Sequence, residues 1–144
     1  MKKSILLLFV TLTMVAVSEA QNATITDTLA YLKSIEARKT EFVGQPFSKL
    51  LSELKIDILI FTPIGSNPTD IKQEMSTVFR TKIPKNLNEY KYPCIDIIWL
   101  SYVNIDQSLS IAEQTGTFGK WTDNAKQHYQ KFVVADLYIR WGEN

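Results

Sequence analysis

Ile95-Asp96-Ile97-Ile98-Trp99-Leu100-Ser101-Tyr102-Val103 is the stretch whose reading decides the fold class. Ile95, Ile97 and Trp99 fall on one side of an extended chain, and Ile98, Leu100 and Tyr102 on the other. Apolar side chains on both sides predict a central strand covered on both faces, with Trp99 in the core. Cys94 opens the run after Pro93 and is the single cysteine of the chain. No intramolecular disulfide is possible, and the thiol is expected to be buried as a small hydrophobe.

Toward the C-terminus, residues 108–115 set Leu109 and Ile111 between serines. This predicts a weaker strand, with a short helix as the competing reading. Gly116-Thr117-Phe118-Gly119 turns the chain, and residues 122–131 read as a short late helix with Thr122 as its cap. In residues 132–141, Val133, Ala135, Leu137, Ile139 and Trp141 share one face, opposite Asp136, Tyr138 and Arg140. Toward the N-terminus, residues 82–93 read as a loop and residues 74–81 as a strand around Met75, Thr77 and Phe79. Residues 63–70 are turn-rich, and residues 56–62 read as a strand with Ile56, Ile58 and Ile60 on one face. Before them come two helical patterns. Phe47, Leu50, Leu51 and Leu54 follow i, i+3, i+4, i+7 after Pro46, and Ile25, Leu29, Leu32 and Ile35 draw a stripe over residues 25–38. Helices first and neighbouring strands afterwards predict an α+β fold: N-terminal helices followed by a mostly antiparallel sheet of four to five strands, with one short late helix.

The first twenty residues read as an export signal. Lys2 and Lys3 precede an apolar run over residues 5–17, and Ser18-Glu19-Ala20 offers small residues for cleavage before Gln21. The run is too short for a good membrane span. The expectation is a signal peptide over residues 1–20 and a single α+β domain over residues 21–144, periplasmic or secreted, with no membrane span after cleavage. The lysine-rich start fits a bacterial signal. Asn22-Ala23-Thr24 matches the N-glycosylation pattern, which matters only in a pathway that has the machinery.

The chain has 16 Lys+Arg and 15 Asp+Glu; Lys2, Lys3 and Glu19 leave with the signal, so the remainder is neutral. Without a basic block, nucleic acid is not an expected partner, nor is a polybasic membrane contact.

Phe42-Val43-Gly44-Gln45-Pro46-Phe47-Ser48-Lys49-Leu50-Leu51-Ser52-Glu53-Leu54-Lys55-Ile56-Asp57-Ile58 is similar to the opening of cell-wall PASTA domains. Those modules start with a Val-Gly pair, run into a helix with paired leucines and continue into a strand. The glycine they place between helix and strand is absent, with Lys55 and Ile56 standing near it. The whole chain also resembles small exported bacterial proteins of uncharacterised function that share this Val-Gly-x-Pro-Phe opening. The resemblance implies binding of peptidoglycan fragments or a partner protein, without catalytic residues.

Catalytic patterns are scarce. One His and one Cys cannot build a typical zinc site, and no Gly-x-Ser-x-Gly elbow or phosphate-cradling loop occurs. Residues 104–108 alternate oxygen-bearing side chains but lack the length and glycine of an EF-hand loop. His128 is expected to be a surface residue. No metal, cofactor or catalytic residue is therefore expected. Exposed aromatic rings bind sugars and peptides at low entropic cost, which makes Tyr90, Tyr92 and Trp121 the candidate ligand-binding residues. The function expected is a non-catalytic binding or interaction module of the bacterial envelope, with an envelope protein or cell-wall glycan as partner. An alternative is a carboxylate-dependent envelope hydrolase, with Asp96 and Asp136 about 5–10 Å apart. A third is a subunit whose edge strand completes a partner's sheet.

Overall fold

The computed structural model describes residues 27–86, 91–116 and 119–142. The expected signal peptide, residues 25–26 of the first predicted helix and Tyr90 lie outside them. The helices are α1 (Thr28–Ala37), α2 (Phe47–Glu53), α3 (Ile105–Glu113) and α4 (Asp123–Tyr129). The strands are β1 (Ile60–Asn67), β2 (Asp70–Arg80), β3 (Cys94–Trp99), β4 (Gly119–Lys120) and β5 (Val134–Arg140). They form one sheet in the order β4-β1-β2-β3-β5, every neighbouring pair antiparallel. The α+β class is as the sequence predicts, with the addition of α3 between strands. No helix among the described residues is long and apolar enough to cross a membrane.

The helices start where side chains can satisfy the free N–H groups of a first turn. Asp27 accepts from Ala30 N at 2.9 Å, Asn104 from Gln107 N at 3.1 Å and Thr122 from Ala125 N at 3.3 Å. Gly44, at φ +76°, turns the chain into Pro46 and α2. One face of the sheet carries Phe61, Phe79, Ile95, Ile97, Leu137 and Ile139. Against it pack Leu32 and Ile35 of α1, Phe47 and Leu50 of α2, and Ala125 and Tyr129 of α4. Each large side chain fully buried there contributes about 1.5–3 kcal/mol.

Several boundaries move. The first strand begins at Ile60, not Ile56, and runs through Pro63 to Asn67, so the turn-rich segment shrinks to the link between β1 and β2. Pro63 is tolerated because, among the described residues, β4 pairs with Ile60 and Phe61 and leaves the outer edge at Pro63 without a ladder partner. Residues 108–115 are not a strand; Ile105–Glu113 is helical, as Asn104 caps a turn whose Ser108 and Ala112 face inward. The 95–103 run ends as a strand at Trp99. Its Ile95, Ile97 and Trp99 are buried, but Ile98, Leu100 and Tyr102 are 36%, 66% and 51% exposed. Only one of its two apolar faces is therefore covered throughout, and Trp99 is in the core. A register shift between Ile98 and Trp99 buries Val134 in place of Val133. Cys94 is buried, donates to the Arg140 carbonyl at 3.6 Å, and has its thiol pKa raised by burial.

Candidate functional site

The register lays out the second face of the sheet. One row across it reads Ile64, Ser76, Ile98, Asp136; the next Thr62, Val78, Asp96, Tyr138; the third Ile60, Arg80, Cys94, Arg140. Among the described residues, the outer edge of β1 beyond Phe61 has no strand partner, and α3 stands beside it. Between them lies a cleft of about 720 Å³. Phe61, Pro63, Ile64, Val78, Leu109 and Ala112 give it apolar walls; Arg80 and Glu113 bring the charges. A Cβ on Gly119 would sit 2.9 Å from both the Ala112 Cβ and the Phe61 carbonyl oxygen, so only glycine lets β4 close against α3 here. This volume lies within the range of small-molecule sites, which are concave and mostly apolar with a few polar groups.

Behind α3 sits a buried polar cluster. Glu74 is 1% exposed and, among the described residues, has no ion-pair partner. Its carboxylate accepts from the Thr77 hydroxyl and from the Tyr129 hydroxyl, the latter at 3.3 Å to each oxygen. Thr77 in turn accepts from Trp99 Nε1 at 2.8 Å. Burial raises the Glu74 pKa, although Ser108, Thr77, Tyr129 and Trp99 all favour the ionised form. Burial and the neighbouring Glu74 charge also push the Tyr129 phenol upward.

His128 is not a surface residue. It is 9% exposed, with Nε2 3.0 Å from the Ser108 hydroxyl, and that hydroxyl donates to the Asn104 carbonyl at 3.3 Å. Burial and the nearby Lys131 lower its pKa, so it is neutral at physiological pH. Its outer edge borders a shallow hollow of about 380 Å³ with Asp106 and Ile111. Ser108 is fully buried, so this Ser–His contact gives a substrate no access to a nucleophile. In sequence, Ser108 sat in an apparent strand alternation and His128 between polar residues. The usable signal was helical: Ile105, Ser108 and Ala112 follow i, i+3, i+7.

The other sequence candidates are placed apart from the cleft. Trp121 is half-buried, with its ring centroid 5.3 Å from Phe79, 6.1 Å from Phe61 and 6.4 Å from Phe47. It completes the core instead of presenting an open flat ring. Tyr92 is 38% exposed under the Lys82 ammonium, 3.8 Å from its ring centroid. Tyr90 is outside the described residues. Asp96 and Asp136 do share a face as diagonal neighbours on β3 and β5, but each has a cation. Asp96 is fully buried and ion-paired with Arg140, without a hydrogen bond of good geometry. Asp136 accepts from Lys39 at 2.8 Å and from the Tyr138 hydroxyl at 2.6 Å, which hold its pKa low. Among the described residues, no group of three or more His, Cys, Asp or Glu could hold a metal ion. No family model matches this chain, and neither a curated protein nor a solved structure is found to match it.

Proposed function

We propose that the chain is an exported, non-catalytic binding module of the bacterial cell envelope, and that its ligand occupies the cleft between α3 and the β1–β2 pair. The cleft itself carries this reading: about 720 Å³, mostly apolar walls and two charged groups. The titratable groups point away from catalysis. Asp136, held below its usual pKa by Lys39, is ionised at neutral pH and has no proton to give as a general acid. Asp96 is buried in an ion pair with Arg140, and the Ser108–His128 contact is sealed. The hydrolase alternative thus has less support than binding.

The test is a chemical-shift map of the isotope-labelled protein, expressed from its full-length chain and purified after export. It is titrated with three envelope fractions: a lipid extract, muropeptides and detergent-solubilised proteins. Binding at the cleft shifts the amides of Thr62, Ile64, Leu109 and Ala112. Shifts centred on Asp96 and Asp136, or chemical conversion of an added compound, would overturn the proposal in favour of hydrolysis.

A further inference from the structure

We infer that the Ser108 hydroxyl is a two-position switch, passing the protonation state of Glu74 to the His128 ring and to α3, the helix that walls the cleft. The switch itself stands on the buried cluster; its effect on binding rests on the cleft being the ligand site.

Three hydroxyls surround the Glu74 carboxyl: Thr77 from β2, Tyr129 from α4 and Ser108 from α3. All three residues are fully buried, so solvent offers their protons no exit. An ionised carboxylate only accepts, and it has room for all three hydroxyl protons. A protonated carboxyl brings one proton more into the same space, so one hydroxyl must turn its own proton outward. Among the described residues, the partners of the Thr77 and Tyr129 hydroxyls all belong to the cluster, including Trp99, which only donates. Ser108 alone also reaches acceptors outside it: the Asn104 carbonyl at 3.3 Å and, closer, His128 Nε2 at 3.0 Å.

The two positions fix two tautomers of the neutral ring. With Glu74 ionised, Ser108 donates inward and its oxygen accepts from His128, whose proton sits on Nε2. With Glu74 protonated, the carboxyl donates to Ser108, Ser108 donates to Nε2, and the ring proton sits on Nδ1. The proton balance closes between them. Nδ1 gains a proton from solvent at the hollow, Nε2 gives its proton to Ser108, and Ser108 gives its own to Glu74. Burial raises the Glu74 pKa, while burial and Lys131 lower that of His128, so there is a pH range in which Glu74 holds its proton and the ring is still neutral. Tyr129, the ionisable group directly on Glu74, has its phenol pushed upward and stays a donor. Around His128 stand Lys131 just beyond α4, Asp106 of α3 at the same hollow and the Tyr129 ring at 4.7 Å.

The setting of the hydroxyl reaches the cleft through α3. The Asn104 carbonyl takes both the Ser108 N–H, at 3.2 Å, and the Ser108 hydroxyl, in the first turn of the helix. Leu109 follows directly and Ala112 one turn later, both on the cleft wall. A ligand that favours one setting of this turn shifts the Glu74 midpoint, and pH shifts its affinity by the same factor.

His128 is the single histidine of the chain, so its ring nitrogens give one unambiguous set of signals. The experiment follows those signals, the Glu74 carboxyl carbon and the Leu109 and Ala112 amides by NMR from about pH 4 to about pH 9, on untagged labelled protein purified after export. Expected at the high end is Nε2 at the position of an N–H. As Glu74 takes its proton, Nε2 moves to the position of a bare ring nitrogen. The carboxyl, the ring and the two amides share one midpoint above 4.5. In Glu74→Gln the ring keeps one tautomer over its whole neutral range. In Ser108→Ala the Glu74 carboxyl still titrates and the ring no longer follows it. A single tautomer in the parent, a ring midpoint that differs from the carboxyl midpoint, or a tautomer change that survives Glu74→Gln overturns the inference. If either variant fails to fold, the coincidence of midpoints in the parent still decides. Repeating the titration with any envelope fraction that shifts the cleft amides tests the link to binding: a moved Glu74 midpoint supports it, and an unmoved one refutes the link and leaves the switch. If no fraction shifts the cleft amides, the binding proposal falls and the link with it, while the tautomer result stands on its own.

Discussion

Replacing Glu74 separates two contributions that share one side chain: a buried acceptor and a buried charge. In Glu74→Ala, the hydroxyls of Tyr129 and Thr77, both fully buried, lose the acceptor they share. Each stranded donor costs about 1–3 kcal/mol, so the expected loss is about 2–6 kcal/mol. That is a large part of the about 5–15 kcal/mol that holds an ordinary domain together. Glu74→Gln keeps an acceptor oxygen and removes the titration. Because the folded protein raises the Glu74 pKa above its usual 4.5, the proton is held more tightly in the folded state. Its stabilising contribution is complete below that usual value and is lost as the pH rises through the folded value. The Gln variant therefore matches the parent near pH 4.5 and becomes the more stable of the two toward about pH 9. Asp136, whose pKa is lowered, has the opposite slope but is present in both proteins, so the difference between their curves isolates Glu74. Urea unfolding of the purified protein across this range measures both effects. A Glu74→Ala variant within about 1 kcal/mol of the parent, or a parent–Gln difference that is flat with pH, would refute the reasoning.

Three further outcomes follow from the geometry. Gly119→Ala drives a methyl against the Phe61 carbonyl and Ala112, and should cost about 1–3 kcal/mol in urea unfolding; adding Ala112→Gly should recover only part, because the carbonyl stays. Thr122→Ala removes the cap of α4, the helix that carries Tyr129 and His128, and should lower stability by about 1 kcal/mol in the same assay. The buried Cys94 thiol, raised in pKa, should react with a disulfide reagent far more slowly in the native protein than after denaturation; rapid native labelling at about pH 8 would contradict its burial.

The fold was legible where one force acted alone. Phe47, Leu50, Leu51 and Leu54 draw an unambiguous helical face, and α2 is there. Thr122 was read correctly as a cap because capping is local chemistry. The misreadings sit where tertiary context overrides local pattern. Pro63 and Gly65 look like a turn, yet β1 carries both, with no strand partner among the described residues on its outer edge beyond Phe61. Leu109 and Ile111 alternate like a strand, but the Asn104 cap and the inward-facing Ser108 and Ala112 make the segment a helix. Of the aromatics to which the sequence points, Trp121 is half-buried beside Phe61 and Phe79, Tyr92 is exposed on the surface, and Tyr90 lies outside the described residues. The cleft was illegible because its walls come from three segments, with α3 more than forty residues after β1, joined by the sheet order and by the close approach that Gly119 permits.

The two sheet edges are managed differently, and the contrast supports the cleft as the place where something binds. Along β5, the Ile139 N–H is taken by Glu36 at 2.8 Å and the Leu137 N–H by Asp136 at 2.8 Å. Val134 exchanges hydrogen bonds with Gly44 and Gln45 at 2.8 and 3.0 Å. Donors that an incoming strand would need are occupied by side chains and by the segment before α2, so this edge is poorly suited to completing a partner's sheet. Along β1, the edge is interrupted by a proline and a positive-φ glycine, no strand of the described residues covers it beyond Phe61, and α3 stands off it far enough to leave a cavity. Covering stabilises an edge and closes the space beside it. Interruption prevents strand pairing while keeping that space open. A fold that only had to avoid aggregation could have closed both edges in the same way; this one keeps apolar walls accessible beside β1.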